Sequence, residues 1–286
     1  MQKLAFIVDD SIVSSDKPLP RHHYAVSLTI TEEGIDPIEY NAKNPISFQD
    51  LKTKISLKQN FKTNAIVIGQ AFHLVNELLK DYEKIVICGI SSGLSSSYDS
   101  WKQILRDFSE FRNKVLLVNN QIIGEALYEH TKRALIAVQE DDSWAIIKKT
   151  LEPVLKFNGL LLIQDLSSLH RGGRISTFKA KVSNLLQMKI LIQYKNGKLS
   201  FYDKETSLVK SFQKMHNYVE KTLGINLNKP NKLILWNSFI DEANFQKVKT
   251  ELNRHFPNTT FVVTEVPKPI LVHVGIDALA ITKFYK

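Results

Sequence analysis

The sequence predicts a two-domain α/β chain, with a mainly parallel, helix-covered sheet in its first half and an α+β domain in its second. Three observations carry that expectation. Short apolar strands alternate with amphipathic helical patterns from Leu4 to about Phe157, the succession that builds βαβ units. Two strand-like runs then meet at Asn196-Gly197, the strongest short hairpin signal. The 286 residues are enough for two modest cores. The expected division is 1–153 and 154–286.

The elements follow in order. Leu4 to Val8 is a short apolar strand ending on Asp9-Asp10-Ser11, and Tyr24 to Ile30 alternates like a half-buried strand. Ser47 to Leu57 and Gly69 to Leu79 read as helices, the second with Phe72, Val75, Leu78 and Leu79 on one face. Lys84 to Ile90 and Val115 to Asn119 are further strands, and helical segments run from Ile122 to Phe157 with a break near Glu140 to Ser143. In the second half, Gly159 to Ile163 is a strand and Leu166 to Ile175 a glycine turn entering a helix. Lys189 to Tyr202 is the hairpin. Ser207 to Thr222 and Asp241 to His255 are helices, Leu233 to Trp236 and Thr260 to Val263 strands, and apolar runs at 270–274 and 279–281 close the chain.

The segment Lys84 to Tyr98 carries the most chemistry. A buried strand runs into a loop of five serines, and an amphipathic helix with Trp101, Ile104, Leu105 and Phe108 follows. Backbone N–H groups, hydroxyls and the dipole of the helix converge there, which favours an anion. The loop has no Lys or Arg, so a carboxylate suits it better than a polyphosphate. There is no G-x-x-x-x-G-K-[ST] and no G-x-G-x-x-G, hence no phosphate-binding loop or dinucleotide fingerprint. Gly89-Ile-Ser91-Ser-Gly93 does fit G-x-S-x-G, the nucleophile elbow of serine hydrolases, with His273 available as a base. An anion-binding loop and a hydrolase using Ser91 are therefore both open at this point.

Composition narrows the classes. Hydrophobic residues make up 43% and charged residues 23%, ordinary for a globular protein. The single cysteine, Cys88, lies in an apolar strand and has no partner for an intramolecular disulfide, which fits a reducing compartment. No signal-peptide profile and no apolar run of ~18 residues is present, so a cytoplasmic protein is expected. The net charge of +9 favours anionic partners, but the lysines are dispersed and no nucleic-acid module is visible.

The order of segments resembles the DegV family, which includes the fatty-acid-binding subunit of bacterial fatty acid kinase. The likeness runs over about residues 3–284. Ile7-Val-Asp9-Asp10-Ser11 resembles the family's I-V-D-S-S, and Ile90 to Tyr98 its S-S-x-L-S-G-T-Y. Leu166 to Ile175 is similar to L-x-x-L-x-x-G-G-R-I. Leu185 to Ile190 resembles L-L-x-I-K-P, Asn196-Gly-Lys-Leu199 resembles D-G-K-L, and His273-Val-Gly275 the start of H-T-G-P-G.

The resemblance implies a two-domain DegV-like (EDD) fold and a lipid-binding protein rather than an enzyme. It implies a long-chain fatty acid as ligand, its carboxylate held by Thr63, Ser95 and His273, with Ser96 and Ser97 beside them. It implies Arg174 as a contact for the separate ATP-binding kinase subunit, on which acyl-phosphate forms, and it implies no cofactor or metal. The charge would then draw the protein transiently to anionic membrane surfaces for ligand exchange. Two departures bear on specificity. Lys62 to Gly69 keeps only the threonine of the family's T-S-Q-P-S, and the turn after His273 is Val-Gly-Ile-Asp. A DegV-like binder of another lipid or anion is the remaining alternative.

Overall fold

A computed structural model describes residues 2–12, 18–138, 143–151, 157–164, 168–169 and 188–283. The chain divides into two compact units. The first comprises Met1–Pro45, Thr63–Lys156 and Pro267–Pro269; the second comprises Ile46–Lys62, Phe157–Val266 and Ile270–Lys286.

The first unit is built on four parallel strands: β1 (Gln2–Asp9), β2 (His23–Val26), β6 (Tyr82–Ile87) and β7 (Val115–Leu117), in the order β2-β1-β6-β7. The middle of the central pair is apolar, as a strand covered on both faces requires: Ala5, Phe6, Ile7, Ile85, Val86 and Ile87 are fully buried. Helices α2 (Ile68–Asp81), α3 (Ser97–Asp107), α4 (Gly124–Ala137) and α5 (Trp144–Leu151) belong to the same unit. Helix α2 buries Ala71, Val75 and Leu78 at helical spacing, and its Phe72 packs on Phe108 with ring centroids 4.2 Å apart.

The run from Tyr24 to Ile30 is not one strand. Strand β2 stops at Val26, and two residues on Leu28 N–H donates to the Asp10 carboxylate at 2.9 Å. The chain resumes as β3 (Ile30–Glu32), paired antiparallel with β4 (Ile38–Tyr40).

The second unit carries a six-stranded sheet in the order β10-β9-β8-β13-β11-β12. Its strands are β8 (Gly159–Ile163), β9 (Lys189–Lys195), β10 (Lys198–Glu205), β11 (Asn231–Asn237), β12 (Thr259–Glu265) and β13 (Leu279–Lys283). Only β11 and β12 run parallel; the other neighbours are antiparallel. The β9–β10 hairpin turns on Asn196 at φ 52° and Gly197 at φ 76°, the left-handed pair that a two-residue turn requires. Helix α6 (Leu208–Lys221) starts with Ser207 accepting Lys210 N–H and buries Phe212, Met215, Tyr218 and Val219 against this sheet's core. Helix α7 (Glu242–His255) starts on Asp241, which accepts Ala243 N–H. The apolar run at 270 lies in helix α8 (Lys268–Val274), which Gly275 ends at φ 77° with its N–H on the Leu271 carbonyl.

Helix α1 (Phe48–Ser56) joins the second unit through Lys52, whose buried ammonium donates to the Phe239 carbonyl at 2.7 Å. The parallel first sheet and the mixed second sheet match the fold class read from the sequence. Among the described residues no helix is long and apolar enough to cross a membrane, and no group of His, Cys, Asp or Glu is placed to hold a metal ion.

Candidate functional site

Parallel strands collect their loops at their carboxyl ends, and there the first unit gathers Asp9 to Ser11, Ser27, Cys88 to Ser97 and Asn119-Asn120. Asp9 ends β1 and is 2% exposed. Its carboxylate accepts Ile90 N–H at 2.6 Å, Ser11 N–H at 2.9 Å and the Ser11 hydroxyl. It thus ties the β6 exit to the β1 exit. Burial raises its proton affinity, and the three donors oppose that rise. The approach needs a glycine at 89, because a Cβ there would lie 2.7 Å from an Asp9 carboxylate oxygen. On the other side Asn120 donates to the Gly89 carbonyl and accepts Ile122 N–H at 2.9 Å.

The loop held in this way is itself hydrogen-bonded. The Ser91 carbonyl accepts Leu94 N–H at 2.9 Å and Ser95 N–H at 3.2 Å, which turns the chain. Ser95 Oγ lies 2.9 Å from Ser97 Oγ and also accepts Ser97 N–H at 3.2 Å. Ser97 Oγ accepts Ile66 N–H at 3.3 Å. Ile66 stands three residues after Thr63, the last residue of β5 (Phe61–Thr63). The structure therefore brings the Thr63 segment onto the serine loop. Ser96, at the N-cap of α3, makes no capping side-chain bond, so the helix amino end adds its partial positive charge to the hydroxyls.

His273 belongs to the second unit, in the last turn of α8. The turn after it is well defined: Ser238 Oγ donates to the Gly275 carbonyl at 2.8 Å and accepts Ala278 N–H at 2.9 Å. Leu166 to Ile175 lies outside the described residues apart from Ser168 and Leu169, and Arg174 with it.

Ser91 is 1% exposed, and α3 begins only at Ser97. A nucleophile elbow instead presents its serine at a sharp turn leading straight into the helix. The geometry favours a binding loop over an elbow.

The sequence places Asp9 and Asn120 at strand carboxyl ends, where the ligands of a parallel sheet sit, but not the bonds they make. The signal that could have marked Asp9 is the Asp-Asp-Ser exit of β1 opposite Gly89, two residues past β6, although nothing local pairs the two. Asp10 is a second case. Burial, with the neighbouring Asp9 charge, pushes its carboxyl from the ordinary 3.8 to about 6, against donors at Leu28 and Ser27.

The sign of its effect on stability follows. A carboxyl with a raised folded value binds a proton on folding between the two values. Its charge penalty is absent below pH 3.8, grows from 3.8 to 6 and is complete above 6. Asp10→Asn should therefore stabilise the protein at pH 7.5 by roughly 1–3 kcal/mol and leave it unchanged near pH 3.8. His23, buried and pushed down to about 4, works oppositely as pH falls from 6.5, so the comparison is variant against parent at each pH in urea titrations. Equal stability at pH 7.5 would mean the Asp10 charge is already compensated.

A family model described as "Uncharacterised protein, DegV family" matches residues 5–286. The chain belongs to the DegV family. A DegV domain-containing protein of Listeria monocytogenes is 22% identical over 284 residues, covering 98% of each chain. Among solved structures, the fatty acid binding DegV family protein of Streptococcus agalactiae superposes with a TM-score of 0.77 at 19% identity, covering 100% of both chains. The Streptococcus pneumoniae fatty acid kinase B3 protein, loaded with linoleic acid, superposes with a TM-score of 0.74 at 13% identity, again over 100% of both chains. These likenesses establish the DegV fold for the whole chain.

Proposed function

We propose that this DegV protein binds a long-chain fatty acid and presents its carboxylate to a separate ATP-dependent kinase subunit for acyl-phosphate formation. The observation that carries the reading is the Ser95–Ser97 hydroxyl pair at the amino end of α3, joined to the Thr63 segment through Ile66 N–H. Hydroxyl donors and a helix terminus can hold one carboxylate without a full counter-charge. Thr63 and Ser95 are its donors in this reading, Ser96 and Ser97 shape the loop, and His273 supplies a third donor. Arg174 contacts the kinase. The acyl tail supplies most of the affinity, on the order of 10 kcal/mol for a long chain before ordering costs. The protein does no chemistry of its own, works in the cytoplasm and meets anionic membranes only to exchange ligand. The structural likeness to a fatty acid binding DegV protein and to a fatty acid kinase protein loaded with linoleic acid supports this reading.

Native mass spectrometry of the purified protein, followed by organic extraction, should find one fatty acid per chain. Liposomes carrying labelled fatty acid should reload stripped protein. In the same preparation a fluorophosphonate should leave Ser91 unlabelled. Absence of both bound lipid and uptake would sink the binding reading, and stoichiometric labelling lost in Ser91→Ala would move the hydrolase ahead.

A further inference from the structure

The amino ends of the same parallel strands form a second concavity, at the sheet edge opposite the serine loop. A cavity of about 660 Å³ is lined there by Lys3 and Leu4 of β1, Pro20 to His22 before β2, and Tyr128, Lys132, Leu135, Ile136 and Val138 on and just past α4. That size is ordinary for a small-ligand site. Of the described lining residues Lys3, Arg21, His22 and Lys132 are basic, and none is acidic. Among the described residues Lys3 and Arg21 pair with no carboxylate, while Lys132 sits 3.8 Å from Glu129 and over the Tyr128 ring at 5.5 Å.

The rest of the wall is apolar. Tyr128, Lys132, Leu135 and Ile136 recur at helical spacing, so one face of α4 carries a cation between an aromatic and two aliphatic side chains. Ile136 is 63% exposed, which leaves its side chain open to an apolar ligand.

The basic rim is also held in place. His22 adopts φ 63°, outside the regions most residues occupy. Its Nδ1 is 2.7 Å from the Tyr82 hydroxyl, which is 2.8 Å from that of Tyr24. Burial and the Arg21 charge lower the proton affinity of His22. Arg21 is therefore presented by a rigid turn whose His22 carbonyl is fixed by Phe6 N–H at 2.9 Å.

We propose that this cleft binds the phosphate group of an anionic amphiphile, with Arg21, Lys3 and Lys132 on the phosphate and Leu135 and Ile136 against the first carbons of its apolar part. Arg21 supplies the planar fork that a phosphate takes bidentately, and the lysines add point charges. The site goes beyond carboxylate binding at the serine loop and shares no residue with it.

The test uses full-length protein and two probes. Decyl phosphate below its micellar concentration, measured by calorimetry, reports a ligand taken singly. Phosphatidylcholine vesicles with or without phosphatidic acid, measured by sedimentation, report a headgroup presented by a bilayer. Binding to either probe should fall roughly tenfold in Arg21→Ala and again in Arg21→Ala/Lys132→Ala, the loss of one charge-assisted bond each. Fatty acid retention and thermal midpoint should stay at parental values, because both side chains are exposed. Ser95→Ala should leave decyl phosphate binding unchanged. Indifference of both probes to the Arg21 and Lys132 variants would overturn the proposal. So would loss of decyl phosphate binding in Ser95→Ala alone, which would assign that probe to the serine loop.

Discussion

Replacing Asp9 by alanine should cost about 3–5 kcal/mol of stability, the range seen when a buried hydrogen-bonding hub is removed. The side chain is 2% exposed and serves three donors from two strand exits. Without it, Ile90 N–H and Ser11 N–H stay buried with no acceptor, each at a penalty of roughly 1–3 kcal/mol, and a small cavity is added. Asp9→Asn should lose less, because it keeps the volume but offers an amide NH₂ where one of the donors now points. The same change should loosen the serine loop, since Ile90 lies on the segment that leads from β6 into it. Fatty acid retention would then fall along with stability. Gly89→Ala is an independent probe, because its Cβ would enter the space of the Asp9 carboxylate. Urea unfolding and a retention assay on each variant provide the check. An Asp9→Ala protein within about 0.5 kcal/mol of the parent would show that the carboxylate is not the anchor, since that is the range of a neutral surface change.

Asp9 also shows what a single sequence can and cannot disclose. The apolar run Leu4 to Val8 and the polar exit after it are local facts, and they set β1 and its ends. The bond from Ile90 to Asp9 spans 81 positions, and no local pattern encodes it. The same contrast holds elsewhere. The Asn196-Gly197 hairpin and the α6 stripe Phe212, Met215, Tyr218 and Val219 were legible because turn chemistry and helical period are written in neighbouring residues. Strands β3, β4 and β5, three residues each, have too little periodicity to be read and exist through pairing. That Ile46–Lys62 packs with the second unit rests on Lys52 reaching a carbonyl 187 positions away. The serine loop itself was legible as a hydroxyl-rich strand-to-helix connection, because five serines between a strand and a helix stand out on inspection. The bond from Ile66 to Ser97 was not.

Ser95→Ala and Thr63→Ala should each weaken fatty acid retention by roughly 1–3 kcal/mol, the consequence of leaving a buried charged acceptor short of a donor. The double variant should lose more than either single, though not the plain sum, because both hydroxyls would face one carboxylate in the proposed site. Ser95 also accepts Ser97 N–H, so part of its effect could be a disturbed α3 start. Two controls separate these causes. Ser92→Ala removes a hydroxyl of the same loop that is exposed and bonded to Asn119, and it should leave retention at the parental level. Thermal midpoints of all variants report the loop's contribution to the fold. A true donor loses affinity at an unchanged midpoint, whereas a purely structural serine loses both together. Retention is read as the rate of transfer of labelled fatty acid from protein to acceptor liposomes, where a weaker carboxylate site raises the off-rate. Decane, which has no carboxylate, should bind parent and double variant equally, since its affinity comes from burial alone. Parental retention in the double variant would mean that other groups hold the carboxylate, and the roles of Thr63 and Ser95 would be withdrawn.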